Sequence, residues 1–361
     1  MTDYVAYSCN LWLGIWVIGV EMENSLLITA ILVVGLALFF DFTNGFHDSA
    51  NVIASMVSSR ALSPREAVVL ASFFEFLGAY LLGTAVALTI GKGIVDPQII
   101  KAIPQGILVV FAALTSAVVW NLITWYFGFP SSSSHALIGG LLGAFIIVKG
   151  FEIVHWVKVG EIFLVMFASP FLGLVLNFLF TRLVSFFSQW FTPKINNFFK
   201  RMQIISSICL ALSHGTNDAQ KTMGVITLSL IVLKVYQPSS IMVIPKWVMA
   251  ACALALSLGI ASGGWRVVKT LGSKLYRLQP IHGFTSQTTS AFIIYTTAFF
   301  GFPISTTQVV SSSIMGAGTA FRPKAVRWEL FRNILATWLV TIPATALLSS
   351  GSYLILRRFF S

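Results

Sequence analysis

Long apolar stretches recur along the whole chain, separated by short polar segments. Several approach the roughly 20 residues that an α-helix needs to cross the hydrocarbon core of a bilayer. They are Ser25–Phe42, Ala67–Leu88, Ile107–Phe127, Ile162–Leu183, Val248–Gly263, Ala291–Phe302 and Ile334–Leu356. A transmembrane barrel would instead show short segments of alternating polarity. The pattern predicts an all-α fold, that of a polytopic helical membrane protein.

Two polar motifs each occur twice, in the same order. The Pro-Ser/Thr motifs are "GFPSSSSHALIGGLLGA" (Gly128–Ala144) and "GFPISTTQVVSSSIMGA" (Gly301–Ala317), offset by 173 residues. The aspartate motifs are "NGFHDSAN" (44–51) and "HGTNDAQK" (214–221), offset by 170 residues. Ordered matches at nearly equal spacing indicate a duplicated chain. We therefore predict an N-terminal extension without an assigned role (1–24), a first transmembrane repeat (25–187), a cytoplasmic linker (188–200) and a second transmembrane repeat (201–361).

Each half reads as five segments: a broken helix that carries the aspartate motif, two plain spans, a half-helix that begins at the Pro-Ser/Thr motif, and a last span. Five crossings would turn the second repeat upside down. With the linker in the cytoplasm, that side also receives more of the Lys and Arg residues, in agreement with the positive-inside rule. Inverted repeats with interrupted helices are typical of secondary transporters, whose substrate site lies near the midplane of the membrane.

The composition agrees with a membrane protein. The chain is 57% hydrophobic and only 10% charged, whereas soluble domains carry about 25% charged residues. The net charge of +11 does not indicate a nucleic-acid partner, because the basic residues lie in short loops between the apolar stretches. We expect an integral, multi-pass protein with membrane lipid around its spans and no nucleic-acid partner.

The aspartate motifs carry the chemistry of a hard-cation site. Carboxylate and amide oxygens suit small hard ions, and glycines allow the backbone to leave helical geometry and turn carbonyl groups toward an ion. Polar residues inside a membrane are costly and usually functional. The predicted cation-binding residues are Asn44, Asp48, Asn51, Asn217, Asp218 and Gln220, with Glu75 and Gln287, which interrupt apolar stretches. Histidines 47 and 214 could suggest zinc, but no cysteine or carboxylate array accompanies them.

The Pro-Ser/Thr motifs suit an oxyanion. Pro130 and Pro303 are placed to begin a helix, and the hydroxyl residues that follow would crowd its N-terminus. Free backbone N–H groups and the helix dipole attract anions there. The predicted anion-binding residues are Ser131, Ser132, Ser133, Ser134, Ser305, Thr306 and Thr307. Serine and threonine also cap helices or bond across them in membranes, and that alternative stays open here.

Both pairs of motifs resemble the signatures of the inorganic phosphate transporter (PiT) family, over nearly all of residues 25–361. The resemblance implies cation-coupled phosphate symport through an inverted-repeat fold, a homodimer, no enzymatic activity and no cofactor beyond the coupling ion. Asp48 and Asp218 match the critical aspartates of the family, and Glu75 matches its membrane glutamate. Gln287 and Gln308 stand where many members have Glu and His. Both differences remove a titratable group, so the resemblance favours Na⁺, held at the two aspartates, over H⁺.

Alternatives remain on the sequence alone. A sulfate or other oxyanion permease would share this fold. A membrane-embedded hydrolase would need a set of nucleophile, base and orienting group that is not visible. An anion channel would place acidic residues where they repel the anion unless cations neutralise them. We therefore expect a phosphate symporter in the plasma (inner) membrane of a prokaryote.

Overall fold

The computed structural model describes residues 24–93, 106–192, 194–237 and 242–360, and these form twelve α-helices and no strand. The predicted N-terminal extension lies outside the described residues, except for Asn24. The helices are α1 Asn24–Ser58, α2 Pro64–Leu81, α3 Ala85–Gly93, α4 Gly106–Phe127, α5 Ser133–Lys149, α6 Trp156–Ser188, α7 Ile195–Val232, α8 Lys246–Ser262, α9 Trp265–Lys269 with a π-helical turn Thr270–Leu275, α10 Pro280–Phe299, α11 Thr306–Phe321 and α12 Trp328–Phe360. Because α7 begins at Ile195, the connection between the halves is shorter than the predicted linker.

Helices α1–α6 correspond in order to α7–α12. In each half the second and third helices form a bent pair, with angles of 69° in the first half and 59° in the second. A short 3₁₀ turn precedes the last helix of each half, at Phe151–Ile153 and Pro323–Ala325. Both last helices contain a proline, Pro170 and Pro343, again 173 residues apart. The duplication seen in the motifs therefore extends to the helices around them.

The helices that carry the aspartate motifs are not broken, which corrects one prediction. Helix α1 runs through 35 residues and α7 through 38. The motif glycines permit close helix crossing instead of a backbone break. A Cβ atom at Gly45 would lie 2.2 Å from the carbonyl oxygen of Leu256 in α8, and one at Gly215 would lie 2.3 Å from that of Glu75 in α2. The breaks occur in the bent pairs, the first of which divides the predicted span Ala67–Leu88.

The two halves are interleaved. Helix α1 packs on α8, α2 on α7, α5 on α12 and α6 on α11. Each of these pairs joins one half to the other, so the buried surface is shared between the repeats. This arrangement brings the motifs of both repeats to one region.

The outside of the molecule is apolar and its inside is rich in polar residues. Val157, Leu347 and Phe171 are exposed by 82%, 75% and 69%, whereas both motif aspartates are buried. This distribution suits a protein surrounded by lipid, where polar groups are satisfied internally. By length and composition, four helices among the described residues can cross a membrane, or up to six if each bent pair forms one span.

Candidate functional site

The two aspartate motifs lie side by side because α1 packs against α7. Asp48, His214 and Asp218 each place one ligand atom within 4.8 Å of the other two. All three side chains are buried. The predicted cation residues of the two repeats therefore contribute to one cluster.

Asp48 is only partly satisfied by its neighbours. The hydroxyl of Thr307 donates to its Oδ1 at 2.9 Å, and Nδ1 of His47 lies 2.8 Å from the same oxygen. The other oxygen, Oδ2, has no hydrogen-bond partner within the described part of the chain. Asp48 thus offers a free carboxylate oxygen inside the protein.

Asp218 is surrounded by donors on both oxygens. Its Oδ1 accepts from Nδ2 of Asn217 at 2.9 Å and from the ammonium group of Lys221. Its Oδ2 accepts from the hydroxyl of Thr306 at 3.1 Å and lies 3.3 Å from Nε2 of His214. The second of the two aspartates predicted to hold Na⁺ is thus bordered by a lysine.

Glu75 joins the cluster through a histidine. Its Oε1 lies 2.9 Å from Nδ1 of His214, whose other ring nitrogen faces Asp218. Glu75 and His214 are both completely buried. Helix α2 therefore contributes a third carboxylate, which is connected to the two aspartates through His214.

The predicted asparagine ligands keep unpaired side-chain oxygens. The side-chain oxygens of Asn44, Asn51 and Asn217 are buried and accept no hydrogen bond from the described residues, like Oδ2 of Asp48. Asn44, Asp48 and Asn51 are spaced to share one face of α1. An unpaired buried oxygen is costly, and a hard cation would satisfy several at once.

Two predicted cation residues lie outside this cluster. Gln220 turns its oxygen toward the start of α3, where it accepts from the N–H of Val86 at 2.7 Å. Gln287 bridges helices: its nitrogen donates to the hydroxyl of Ser55 at 2.6 Å, and its oxygen accepts from Ser207 at 2.9 Å. In this arrangement both side chains stabilise helix packing and have no contact with the aspartates.

The Pro-Ser/Thr motifs place two helix N-termini against each other. Ser132 and Ser305 are the N-caps of α5 and α11, and each hydroxyl accepts from the backbone N–H three residues later. The hydroxyl of Ser134 donates to the carbonyl of Ile304 at 2.7 Å, so the two ends touch. The first N–H groups of each helix have no acceptor within their own helix.

The other hydroxyls of these motifs divide between two roles. Thr306 and Thr307 donate to the two aspartates. Ser131 lies 2.7 Å from the hydroxyl of Thr124 and 3.3 Å from Nε2 of His47. Ser133 makes no hydrogen bond to any described residue, so its hydroxyl is free for another partner.

The whole candidate site is closed to solvent. Each of the fifteen predicted residues is buried, and Ser133, the most accessible, is only 4% exposed. An ion can therefore enter or leave only after the surrounding helices move. This arrangement matches an occluded state, as alternating access requires.

Several residues at the site were not predicted. Lys221 and Asp41 are buried, and His214 connects Glu75 to Asp218. The motif alignment contained a signal for Lys221, because Asn51 occupies its equivalent position in the first repeat. His214 was considered only as a zinc ligand, since contact with Glu75 depends on the crossing of α2 and α7.

Comparisons with known proteins show the family of this chain. The model of the phosphate transporter family matches residues 44–349. A probable low-affinity inorganic phosphate transporter of Bacillus subtilis (strain 168) is 44% identical over 93% of this chain and 99% of its own. A protein of the same description from Rhizobium meliloti (strain 1021) is 45% identical, over 89% of this chain and 96% of its own.

A solved structure gives independent support for the helical transporter fold. The structure described as the sodium-dependent phosphate transporter superposes with a TM-score of 0.82 at 27% identity, and covers 91% of this chain and 99% of that one. The predicted all-α membrane fold is confirmed, as is the prediction of a transporter and not an enzyme. On the span of the family match and the coverage of these relatives, the chain belongs to the phosphate transporter family.

Proposed function

We propose that the protein is a symporter that moves inorganic phosphate into the cell together with Na⁺. One observation carries this proposal: the N-termini of α5 and α11 meet beside the aspartates of both repeats. Thr306 and Thr307, at the start of α11, donate to Asp218 and Asp48 at 3.1 and 2.9 Å. An anion site and a cation site therefore share the same side chains.

The anion end of the site is rich in donors. The first N–H groups of α5 and α11 are unpaired within their helices, and the free Ser133 hydroxyl lies at the start of α5. Phosphate at neutral pH also carries at least one proton, which needs an acceptor, whereas sulfate carries none. The unpaired side-chain oxygen of Asn217, a residue whose amide nitrogen donates to the carbonyl of Ile304 before α11, supplies an acceptor that Na⁺ at the first motif leaves free. A buried polar group left without a hydrogen-bond partner costs about 1–3 kcal/mol. This cost corresponds to an affinity for phosphate about one to two orders of magnitude higher than that for sulfate.

The cation end explains the coupling. Without a cation, the Thr307 hydroxyl is engaged by Asp48, and the negative carboxylate repels an incoming anion. A Na⁺ ion bound by Asp48 and the neighbouring amide oxygens removes the repulsion and frees the hydroxyl to donate to phosphate. Both effects favour binding of the two ions together. The similar structure described as sodium-dependent supports Na⁺ as this cation.

We also propose that the second repeat is inverted relative to the first. Support comes from His135 and Gln308, which are equivalent at the offset of 173 residues and face each other with Nε2 atoms 3.4 Å apart. Equivalent residues meet in this way beside a pseudo-twofold axis, and the excess of Lys and Arg on the linker side favours an axis in the membrane plane. We further propose a multi-pass protein surrounded by lipid and assembled as a homodimer. Its bacterial relatives support a prokaryotic plasma membrane.

The test is uptake of radiolabelled phosphate into proteoliposomes, with Na⁺ and H⁺ gradients imposed separately. We expect uptake to follow an inward Na⁺ gradient at constant pH. An equal concentration of sulfate should leave uptake nearly unchanged. Uptake that follows the pH gradient and ignores Na⁺ would overturn the choice of cation, and displacement by an equal concentration of sulfate would overturn the choice of anion.

A further inference from the structure

Only the second of the two aspartate motifs has a lysine beside its aspartate. Three residues after the aspartate, the first motif has Asn51 and the second has Lys221. The residue before the aspartate acts alike in both: Nδ1 of His47 lies 2.8 Å from Asp48 Oδ1, and Nδ2 of Asn217 donates to Asp218 Oδ1 at 2.9 Å. The contact from the preceding residue to the carboxylate is thus present in both motifs, whereas the contact from a lysine is present only in the second.

Lys221 is held as a buried ion pair. The side chain is 1% exposed, and its ammonium group donates to Oδ1 of Asp218. Asp41 of α1, which is also buried, interacts electrostatically with the same lysine. The position equivalent to Asp41 in the second repeat is Ala211. An acid and a base that both lack counterparts in the other repeat thus lie near each other.

The consequence is an unequal supply of ligands for cations. Asp218 has donors on both oxygens, and one of those donors carries a full positive charge. Asp48 has no Lys or Arg partner among the described residues and keeps Oδ2 unpaired. The unpaired oxygens of Asn44 and Asn51 lie on the same helix as Asp48. The open ligands are therefore mainly those of the first motif.

We propose that the Lys221 ammonium group is a built-in cation that occupies the cation position of the second motif, so that only the first motif takes an exchangeable ion. This inference rests on the proposed function for the identity of that ion as Na⁺. A Na⁺ ion would have to displace a tethered ammonium group and leave it buried without its main partner. Each Na⁺ ion transported with phosphate multiplies the attainable ratio of inside to outside phosphate by the Na⁺ concentration ratio. Because Lys221 replaces one such ion, it lowers the attainable phosphate ratio by that multiple.

The experiment replaces Lys221 by the residue of the first repeat, as K221N, in the full chain. Binding of radiolabelled Na⁺ to the purified protein and the Na⁺ dependence of phosphate uptake in proteoliposomes are both measured. We expect K221N to bind one more Na⁺ per chain than the wild type and to raise the Hill coefficient for Na⁺ by about one. K221R keeps the charge and should keep the wild-type number.

Three further variants complete the design. K158N removes a lysine from an exposed pair of the same three-residue spacing, Lys158 with Glu161 at 2.7 Å, and should leave Na⁺ binding unchanged. The reciprocal change N51K places a lysine beside Asp48 and should remove the bound Na⁺. N51L removes the same ligand without adding a charge, so a larger loss of Na⁺ binding in monodisperse N51K than in N51L tests the proposal even if K221N fails to fold.

The outcomes separate this inference from the proposed function. Na⁺-dependent uptake with equal Na⁺ binding by wild type and K221N would overturn the role of Lys221 and leave Na⁺ coupling intact. Full Na⁺ binding by folded N51K would overturn it as well. Wild-type uptake without Na⁺ dependence would overturn the proposed coupling. Na⁺ gained by K221N would then still support the built-in cation, and no gain would refute it.

Discussion

Replacement of Gly45 by Ala is predicted to separate two helices at the candidate site. A Cβ atom at position 45 would lie 2.2 Å from the carbonyl oxygen of Leu256 and 3.2 Å from the backbone nitrogen of Ile260. Both are backbone atoms of α8, so no side chain can rotate away. Helices α1 and α8 would have to separate by about 1 Å before the first contact reached van der Waals range. Overpacking of this kind costs about 1–3 kcal/mol.

The chain contains a matched control on the same helix. Nothing lies within 4 Å of a Cβ atom at Gly35, so Gly35→Ala meets no obstacle and should stabilise α1 by up to about 1 kcal/mol through helix propensity. The same substitution is therefore expected to have opposite signs at two positions ten residues apart. Gly215→Ala, where the Cβ atom would lie 2.3 Å from the carbonyl oxygen of Glu75, should resemble Gly45→Ala.

Thermal unfolding in detergent, followed by size-exclusion fluorescence, measures the difference. One kcal/mol corresponds to roughly 2–4 °C in domains of 150–250 residues, so Gly45→Ala should unfold several degrees below Gly35→Ala. Phosphate uptake should also fall in Gly45→Ala, because Asp48 follows one turn later and its 2.9 Å bond to Thr307 requires α1 in place. Equal unfolding temperatures and equal uptake for both variants would refute the explanation of the motif glycines.

Three further predictions concern polar residues. Asp48→Asn should weaken the Na⁺ dependence of uptake in a protein that still folds. Asp218→Asn should also lower the unfolding temperature, because it leaves the Lys221 ammonium group buried without its partner, a loss of about 3–5 kcal/mol. Equal unfolding temperatures of the two variants would contradict this. Ser133→Ala should raise the KM for phosphate and leave stability unchanged, as measured by uptake kinetics; an unchanged KM would place the anion elsewhere. Gln287→Glu should make uptake decline as pH rises, because only the protonated carboxyl can replace the donation to α1; a pH profile like that of the wild type would argue against it.

The repeat and the identity of the site could be predicted from the sequence because both depend on local patterns. Gly-Phe-Pro followed by hydroxyl residues predicts a nearby helix start. The prediction that Pro130 and Pro303 begin the helices is wrong, because α5 and α11 begin three residues later, at Ser133 and Thr306, after the N-caps Ser132 and Ser305. Six of the eight predicted cation residues lie in or beside one cluster because the motifs are duplicated and the helices that carry them cross.

The remaining features depend on contacts between distant segments. The breaks occur where Gly83 and Gly263 take φ angles of +115° and +67°, which glycine adopts without strain. The helix pieces beyond these breaks are capped from the opposite repeat: Gln220 accepts from the N–H of Val86, and Ser49 accepts from that of Gly264 at 2.7 Å. No local pattern distinguishes such a cap from an ion ligand, which explains why Gln220 was assigned to the cation site.

The comparison of the two repeats separates structural positions from functional ones. Equivalent residues that build the scaffold have kept their roles, as in the N-caps Ser132 and Ser305. Among residues that face the ions, Asn44 corresponds to His214, and Asn51 to Lys221. Duplication alone would give two equivalent sets of ligands, and under the proposal above these substitutions make the two sets unequal. A site with one fixed and one exchangeable cation can thus arise from a symmetric ancestor without any change in the helices that hold it.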